Sequence, residues 1–315
     1  MPPPLPQSPK APSQSPKAPS QSKIRIGLGS VPHDDLGGYV DACEAAGVDS
    51  VWLPDFASTD AVDPLVGLAY AAGRTRRLKL GTGVLVLPGR NPMLVAAQLA
   101  SLVALAPKRI LPTFGVRAVS VRDRALYPVP GERAAVFDEA LLVLRRLLSE
   151  PSVTHHGEFF HLDDAAVGPL PPRPLDLWLG GTAPVALRRI GRLADGWLGA
   201  AVTPAEAGGC RAGIERAAAD ADREIEDDHY GTNIGLLPPG TSEADRAAAL
   251  AQTARRRPDV DPALLVADGW AAARTQVRAF VDVGLTKFVV RPLAPVASWR
   301  GFVDEFVAEL GPEQT

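Results

Sequence analysis

The chain has 315 residues, is 46% hydrophobic and 22% charged, and carries a formal net charge of -3. That composition suits a soluble globular protein with one large core or two small ones, gives no basic surface for nucleic acid, and contains no apolar run long enough to span a bilayer. Its two cysteines, Cys43 and Cys210, lack CxxC spacing, which points to a reducing cytoplasm and to neither a disulfide framework nor a metal site.

Residues 1–22 stand apart. A Gln-Ser-Pro-Lys-Ala-Pro-Ser unit occurs at 7–13 and again at 14–20. Such a Pro/Ser/Lys tail cannot bury a core and reads as disordered or extended, with no apolar segment of the secretory type. The domain proper is read as 23–315.

A first strand is expected at 24–29 and a helix at 35–46, ending at Gly47. Ser50-Val51-Trp52-Leu53 is a second strand that delivers Pro54-Asp55-Phe56 at its C-terminal end. Asp63-Pro64 opens the next helix, since Asp caps and Pro tolerates the first turn. Residues 78–87 form a third strand, and Asn91-Pro92 starts a helix by the same logic. Residues 109–115 form a fourth strand, in which Pro112 removes a ladder donor. Residues 116–131 read as irregular, 132–148 as an amphipathic helix, and 153–163 as a small excursion turning at His156-Gly157.

The most informative stretch follows. Leu175-Asp176-Leu177-Trp178-Leu179 is a short buried strand, Gly180-Gly181 a tight turn, Thr182 the expected N-cap, and Pro184 a first-turn proline. Leu187, Ile190 and Leu193 recur at helical spacing up to Asp195-Gly196, where Trp197-Leu198-Gly199 begins the next strand. Two glycines before a helix N-terminus let a ligand approach backbone N–H groups, which suits a phosphate; the alternative is a merely tight turn. Helices at 204–222, 242–256, 270–283 and 299–310 and strands at 231–237 and 287–291 complete the chain.

Strands and helices alternate, about eight of each, which leaves a (β/α)8 barrel or a doubly wound sheet. The length and the lack of G-x-G-x-x-G after the first strand favour the barrel. Its site would lie at the C-terminal strand ends. There, His33 and Asp55 are the acid/base candidates, with a solvated loop histidine and a simple capping aspartate as the alternatives. His155, His156, His161 and His229 read as surface residues. Arg90, Arg117 and Arg291 are single cations that would meet an anion. A mouth this poor in nucleophiles and metal ligands implies that a cofactor brings the chemistry.

Three stretches resemble the luciferase-like flavin and deazaflavin oxidoreductases, most closely the coenzyme F420 type. They are Leu80-Gly81-Thr82-Gly83-Val84-Leu85 with Arg90-Asn91-Pro92, Gly131-Glu132-Arg133 leading to Phe137-Asp138-Glu139-Ala140-Leu141, and Trp178-Leu179-Gly180-Gly181 through Ala194-Asp195-Gly196-Trp197. The resemblance implies a (β/α)8 TIM barrel with an insertion after strand 4. It implies a deazaflavin or flavin ring in the mouth, backed by a non-proline cis peptide at Gly83-Val84. It places Asp55, Gly83, Val84, Gly180, Gly181 and Thr182 at the cofactor. Val86 and Gly115, at strand ends beside them, are read as cofactor-binding too, and the acid/base candidates His33 and Asp55 as catalytic, with His33 or a bound water supplying the proton. Phe56 stands where relatives often have His, and Leu111-Pro112-Thr113 replaces a Gly-rich run.

The implied activity is hydride transfer between reduced F420 and a small-molecule or peptide substrate, by reduction of C=C, C=N or C=O or the reverse. A role in natural-product biosynthesis, such as reducing a dehydro residue in a modified peptide, is compatible with it. The alternatives are an FMN-dependent monooxygenase using oxygen and a non-catalytic barrel subunit that binds cofactor or partner. Homodimerisation follows from the resemblance alone.

Overall fold

The structure is a computed structural model that describes residues 23–29, 35–56, 61–116 and 121–315, leaving out the side chains of residues 121–123. The repeated tail at 1–22 lies outside the described residues. Within them the first strands are β1 (Arg25–Leu28), β2 (Ser50–Leu53), β3 (Lys79–Thr82), β4 (Leu85–Val86), β5 (Ile110–Leu111) and β6 (Thr113–Gly115). Next come the hairpin strands β7 (Val153–His156) and β8 (His161–Ala165), then β9 (Trp178–Leu179), β10 (Gly196–Gly199), β11 (Tyr230–Leu237), β12 (Val266–Asp268) and β13 (Lys287–Pro292). The helices are α1 (Leu36–Ala46), α2 (Pro64–Arg74), α3 (Pro92–Leu105), α4 (Val121–Leu126), α5 (Arg133–Leu147), α6 (Pro184–Leu193), α7 (Pro204–Ala219), α8 (Glu243–Arg256), α9 (Gly269–Asp282) and α10 (Trp299–Leu310).

Cap chemistry sets most helix starts. The carboxylates of Asp35 and Asp63 and the amide oxygen of Asn91 accept first-turn N–H groups, and Pro64 and Pro92 fill positions that need no donor. Thr203 and Glu206 form a reciprocal capping box at α7. Gly47 ends α1 in the left-handed region at φ 75°.

The result is an α/β fold with a curled parallel sheet. Its ladders run in the order β4-β6-β9-β10-β11-β13-β1-β2-β3-β5, and β12 adds to β11. Leu80 pairs with Ile110 and Gly81 with Leu111, while Leu85 pairs with Phe114 and Val86 with Gly115. The two strands expected at 78–87 and 109–115 are therefore each broken in two, at Gly83-Val84 and at Pro112. The Thr82 hydroxyl spans the break: it accepts from Thr113 N at 2.9 Å and donates to Thr113 O at 2.9 Å.

Three expectations are revised. The irregular stretch 116–131 contains the short α4, β12 was not foreseen, and the strand expected at 175–179 is regular only at Trp178–Leu179. The excursion at 153–163 is an antiparallel hairpin. It is held to α5 by Glu139, whose carboxylate accepts the N–H groups of Glu158, Phe159 and Phe160 and meets His155 Nε2 at 3.0 Å.

Glycines on the strands make room for large inward side chains. A Cβ at Gly81 would lie 2.5 Å from the Trp52 ring, and one at Gly196 would lie 2.4 Å from the Trp178 ring. Trp52, Trp178, Leu198 and Val289 form one buried cluster there. Cys43 and Cys210 are buried free thiols.

The N-terminal ends of the strands are tied by charge. Asp49 Oδ1 accepts from Lys79 Nζ at 2.8 Å and Oδ2 from Lys287 Nζ at 2.8 Å, with Arg25 Nε 3.7 Å away. Burial alone would raise the Asp49 carboxyl, but the Lys287 and Lys79 ammonium groups outweigh it and hold it at about 2. The same burial pulls Lys287 below the usual lysine range despite Asp49. A carboxyl depressed on folding stabilises the protein above its unfolded value, near 4, and loses that contribution as pH falls toward its folded value. Asp49→Asn, which strands Lys287, should cost on the order of 3 kcal/mol at pH 7. Urea unfolding of both proteins at pH 7 and at decreasing pH checks this; the gap should shrink between pH 4 and 2.

Candidate active site

The C-terminal ends of β1, β3, β6, β9 and β10 all carry glycine: Gly29, Gly83, Gly115, Gly180 and Gly199. The space is taken by a few side chains. A Cβ at Gly115 would meet Val84 Cγ2 at 2.8 Å, and one at Gly180 would meet Val84 Cγ1 at 3.0 Å. Val84, Gly115 and Gly180 thus converge, and the Gly83–Val84 peptide is cis, where the resemblance places such a bond.

Asp55 follows β2 and is buried, with its carboxylate fully enclosed. Its backbone N–H donates to Val84 O at 3.2 Å. Its Oδ2 accepts from Val86 N at 3.1 Å and from Arg90 Nη2 at 2.9 Å, and Oδ1 accepts from the Tyr127 hydroxyl at 2.7 Å. Arg90 also donates to Val86 O at 3.1 Å and to Asp63 Oδ2 at 3.2 Å, and its guanidinium lies 5.5 Å from the Tyr127 ring centre. Burial, then the bond to the Asp55 carboxylate, pushes the Tyr127 phenol up to about 12. Burial works against the Arg90 charge, but Asp55 more than compensates and raises it above the usual arginine range. Val86 therefore meets Asp55 through its main chain.

On the other side of the mouth, Gly180 N donates to Phe114 O at 2.8 Å, which aligns the turn with β6. Gly181 has φ 126°, a conformation that favours glycine, and a Cβ there would lie 2.9 Å from Ala186 Cβ. The Trp197 indole, buried beside Gly199, donates to Gly181 O at 2.9 Å and so props the turn from β10. The expected N-cap Thr182 is corrected to Ala183, because the turn at Gly181 shifts the helix start by one residue, and no side chain caps α6. Thr182 and the first turn are exposed. The N–H groups of that end face outward with the positive end of the helix dipole.

Arg291, at the end of β13, donates from Nε to Asn233 Oδ1 at 2.6 Å and from Nη2 to Gly83 O at 3.1 Å; Asn233 Nδ2 in turn donates to Gly199 O at 2.8 Å. His33 and Arg117 lie outside the described residues. Of the other histidines, His156 and His161 are exposed as expected. His155 is instead paired with Glu139, and His229 packs 5.4 Å from Trp178 with Nδ1 2.7 Å from Asp195 O. Glu226, Asp228 and His229 bring one ligand atom each within 4.8 Å of one another, but they precede β11 and so lie at the opposite end from the mouth. Tyr127 had no sequence signal, since it follows a short helix in a stretch without periodicity.

Residues 12–289 match the model of the luciferase-like monooxygenase family. The chain belongs to this family of enzymes. The F420-dependent glucose-6-phosphate dehydrogenase of Kineococcus radiotolerans is 27% identical over 88% of this chain and 92% of its own length. A solved F420-dependent secondary alcohol dehydrogenase, in complex with an F420–acetone adduct, is similar with a TM-score of 0.79 at 19% identity, covering 93% of this chain and 100% of that one. The oxygenating constituent of 3,6-diketocamphane monooxygenase from Pseudomonas putida, in complex with FMN, is similar with a TM-score of 0.72 at 13% identity, covering 93% of this chain and 99% of that one. An F420-bound and an FMN-bound protein thus share this fold.

Tyr127→Phe removes the hydroxyl that caps Asp55 while keeping the ring against Arg90. A hydrogen bond to a charged group contributes roughly 1.5–3 kcal/mol. The variant should lose about 2 kcal/mol in urea unfolding; an unchanged midpoint would show that Arg90 and Val86 suffice to hold Asp55.

Proposed function

We propose that this chain is an oxidoreductase that moves a hydride between reduced coenzyme F420 and an organic substrate. The observation that carries the reading is the Gly180-Gly181-Thr182 turn, exposed at Gly181 and Thr182, at the uncapped start of α6 and held in place by Trp197. Backbone N–H groups and a helix dipole end there suit a phosphate. The relatives and the solved neighbour named for F420 support the choice of cofactor. When bound, F420 supplies the hydride chemistry, with one proton and one hydride added across a C=C, C=N or C=O bond.

The protein's part is to grip, orient and exclude water. Gly115 and Gly180 leave a flat approach beside Val84, suited to a planar ring. Asp55, with Val86, Arg90 and Tyr127, fixes the lip of the mouth next to it. His33 or a bound water remains the proposed proton source. An FMN-dependent monooxygenase is the second reading, supported by the flavin-bound neighbour of the same fold.

For the architecture we adopt a (β/α)8 barrel with an insertion at 116–177. Counting β3 with β4 and β5 with β6 as single interrupted strands, the ladders visit eight strands and return to the first. The helices α1, α2, α3, α5, α6, α7, α9 and α10 also pack in succession, with α10 against α1. Homodimerisation through α2 and α3 is supported by their exposed faces. Val66, Ala69 and Tyr70 on one and Leu94, Gln98, Ser101 and Leu105 on the other are uncharged, and α3 has no charged residue at all. Leu94→Asp with Leu105→Asp should halve the mass measured by sedimentation if that face pairs; a mass unchanged by the double substitution argues against it.

Fluorescence titration with F420 and, separately, with FMN tests the cofactor. Saturable F420 binding with FMN inert is expected; FMN binding alone favours the monooxygenase. Gly181→Asp adds strain, bulk and like charge, while Gly181→Ala adds only strain and a small clash. The aspartate variant should bind F420 at least about ten-fold more weakly than the alanine variant, since ten-fold corresponds to 1.4 kcal/mol. Equal affinities in the two folded variants would remove the phosphate from this turn.

A further inference from the structure

Arg291 is a cation built into the mouth that no anion meets among the described residues. Guanidinium offers five N–H donors. Nε is taken by Asn233 and one Nη2 proton by Gly83 O, both neutral partners, so three N–H groups remain, two of them on Nη1. Among the described residues no carboxylate lies within ion-pair distance of it. Arg109, another arginine without a carboxylate, differs: its Nη1 meets Thr75 Oγ1 and Leu78 O and its Nη2 meets Ala72 O, so each terminal nitrogen has a partner and Nη1 has two, at the N-terminal end of β5.

Two strand ends are kept empty to seat the Arg291 charge. A Cβ at Gly29 would lie 2.6 Å from Arg291 Cζ and 2.7 Å from Nη1, and one at Gly83 would lie 2.6 Å from Nη2. Arg291 as a whole is half-buried. Burial pushes the guanidinium down to about 10; the Tyr39 phenol works against burial, and Arg256 at the end of α8 adds slightly to it. It is still charged at neutral pH. Arg257 beside it anchors α8 over the mouth by bonding Ala201 O and Glu206. An unpaired buried charge is costly unless a ligand completes it.

We propose that Arg291 is the specificity-determining residue of a substrate subsite and takes the carboxylate of an anionic organic substrate through its free Nη1 and Nη2 donors. A planar carboxylate matches that edge of the guanidinium in bidentate geometry. The subsite lies on β13, three strands along the sheet from the β9 turn assigned to the cofactor phosphate. The inference rests on the oxidoreductase reading for its chemistry, since the carboxylate would steer the reacting carbon toward the same mouth.

The test uses the full chain, loaded with oxidised F420 and also unloaded, titrated with benzoate and with benzamide, its neutral isostere, followed by ligand-observed NMR and F420 fluorescence. Benzoate should bind saturably and benzamide at least about ten-fold more weakly, as expected for a charge-assisted hydrogen bond. Arg291→Gln should erase the difference while F420 affinity stays within two-fold. Arg291→Lys should keep the preference for the anion with weaker binding, and it decides the matter if the glutamine variant fails to fold by circular dichroism. Equal binding of the two probes, no saturable binding of either, or a preference that survives in Arg291→Gln would overturn the proposal. Loss of F420 affinity in Arg291→Gln in place of benzoate affinity would assign the charge to the cofactor and overturn it too. If the wild type does not bind F420, the cofactor reading fails by itself, and benzoate binding to the unloaded protein still decides the role of Arg291.

Discussion

Two neighbouring strands break at the same level, and the mouth is organised around that break. Pro112 has no N–H to continue the ladder, and at Gly83-Val84 the adjacent strand turns away. The Thr82 hydroxyl closes the gap by both accepting from and donating to Thr113. Without that bridge two buried main-chain groups would lose their partners, at a cost of a few kcal/mol. With it, the chain is free to turn Val84 toward Gly115 and Gly180 and to offer Gly83 O to Arg291. The Asp55 carboxylate then reaches Val86 N just past the break. One hydroxyl thus underlies the lip, the floor and the cation of the site.

The two ends of the sheet do different work. At the N-terminal end Asp49 gathers Lys79, Lys287 and Arg25 into one charge cluster, in which three cations share a carboxylate. At the C-terminal end glycines replace side chains, and Arg291 is left with free donors. Between them Trp52 and Trp178 fill the interior, each admitted by a glycine on a neighbouring strand. The glycines and the unused Arg291 donors at the upper end fit the rule that sites on barrel folds lie at the strand C-termini.

Much of this was legible in the sequence because the signals were local. Asp63-Pro64, Asn91-Pro92 and Thr203-Pro204 each carry both a cap and a first-turn proline, and each starts a helix where expected. Thr182-Ala183-Pro184 failed by one residue because the positive φ of Gly181, supported by the Trp197 indole, sets the chain direction before the cap is reached. That support comes from another strand and leaves no local trace. Tyr127 was out of reach for the same reason, its partners Asp55 and Arg90 lying 72 and 37 positions away, whereas Arg291 was singled out as a strand-end cation and only its partners Gly83 and Asn233, 208 and 58 positions away, were not legible. The strand β12 is only three residues long, too short for a period to register.

Four of the polar contacts that shape the mouth share one property. Arg291 ends on Gly83 O, Asn233 on Gly199 O, Trp197 on Gly181 O, and Asp55 on Val86 N. In each the accepting or donating partner is main chain, which amino-acid replacement at that partner leaves in place. Side chains that face the substrate are therefore free to drift over evolutionary time without dismantling the frame around them. A lineage carrying this frame can exchange one substrate for another by a few replacements, and divergence among its members should accumulate in the residues between these anchors.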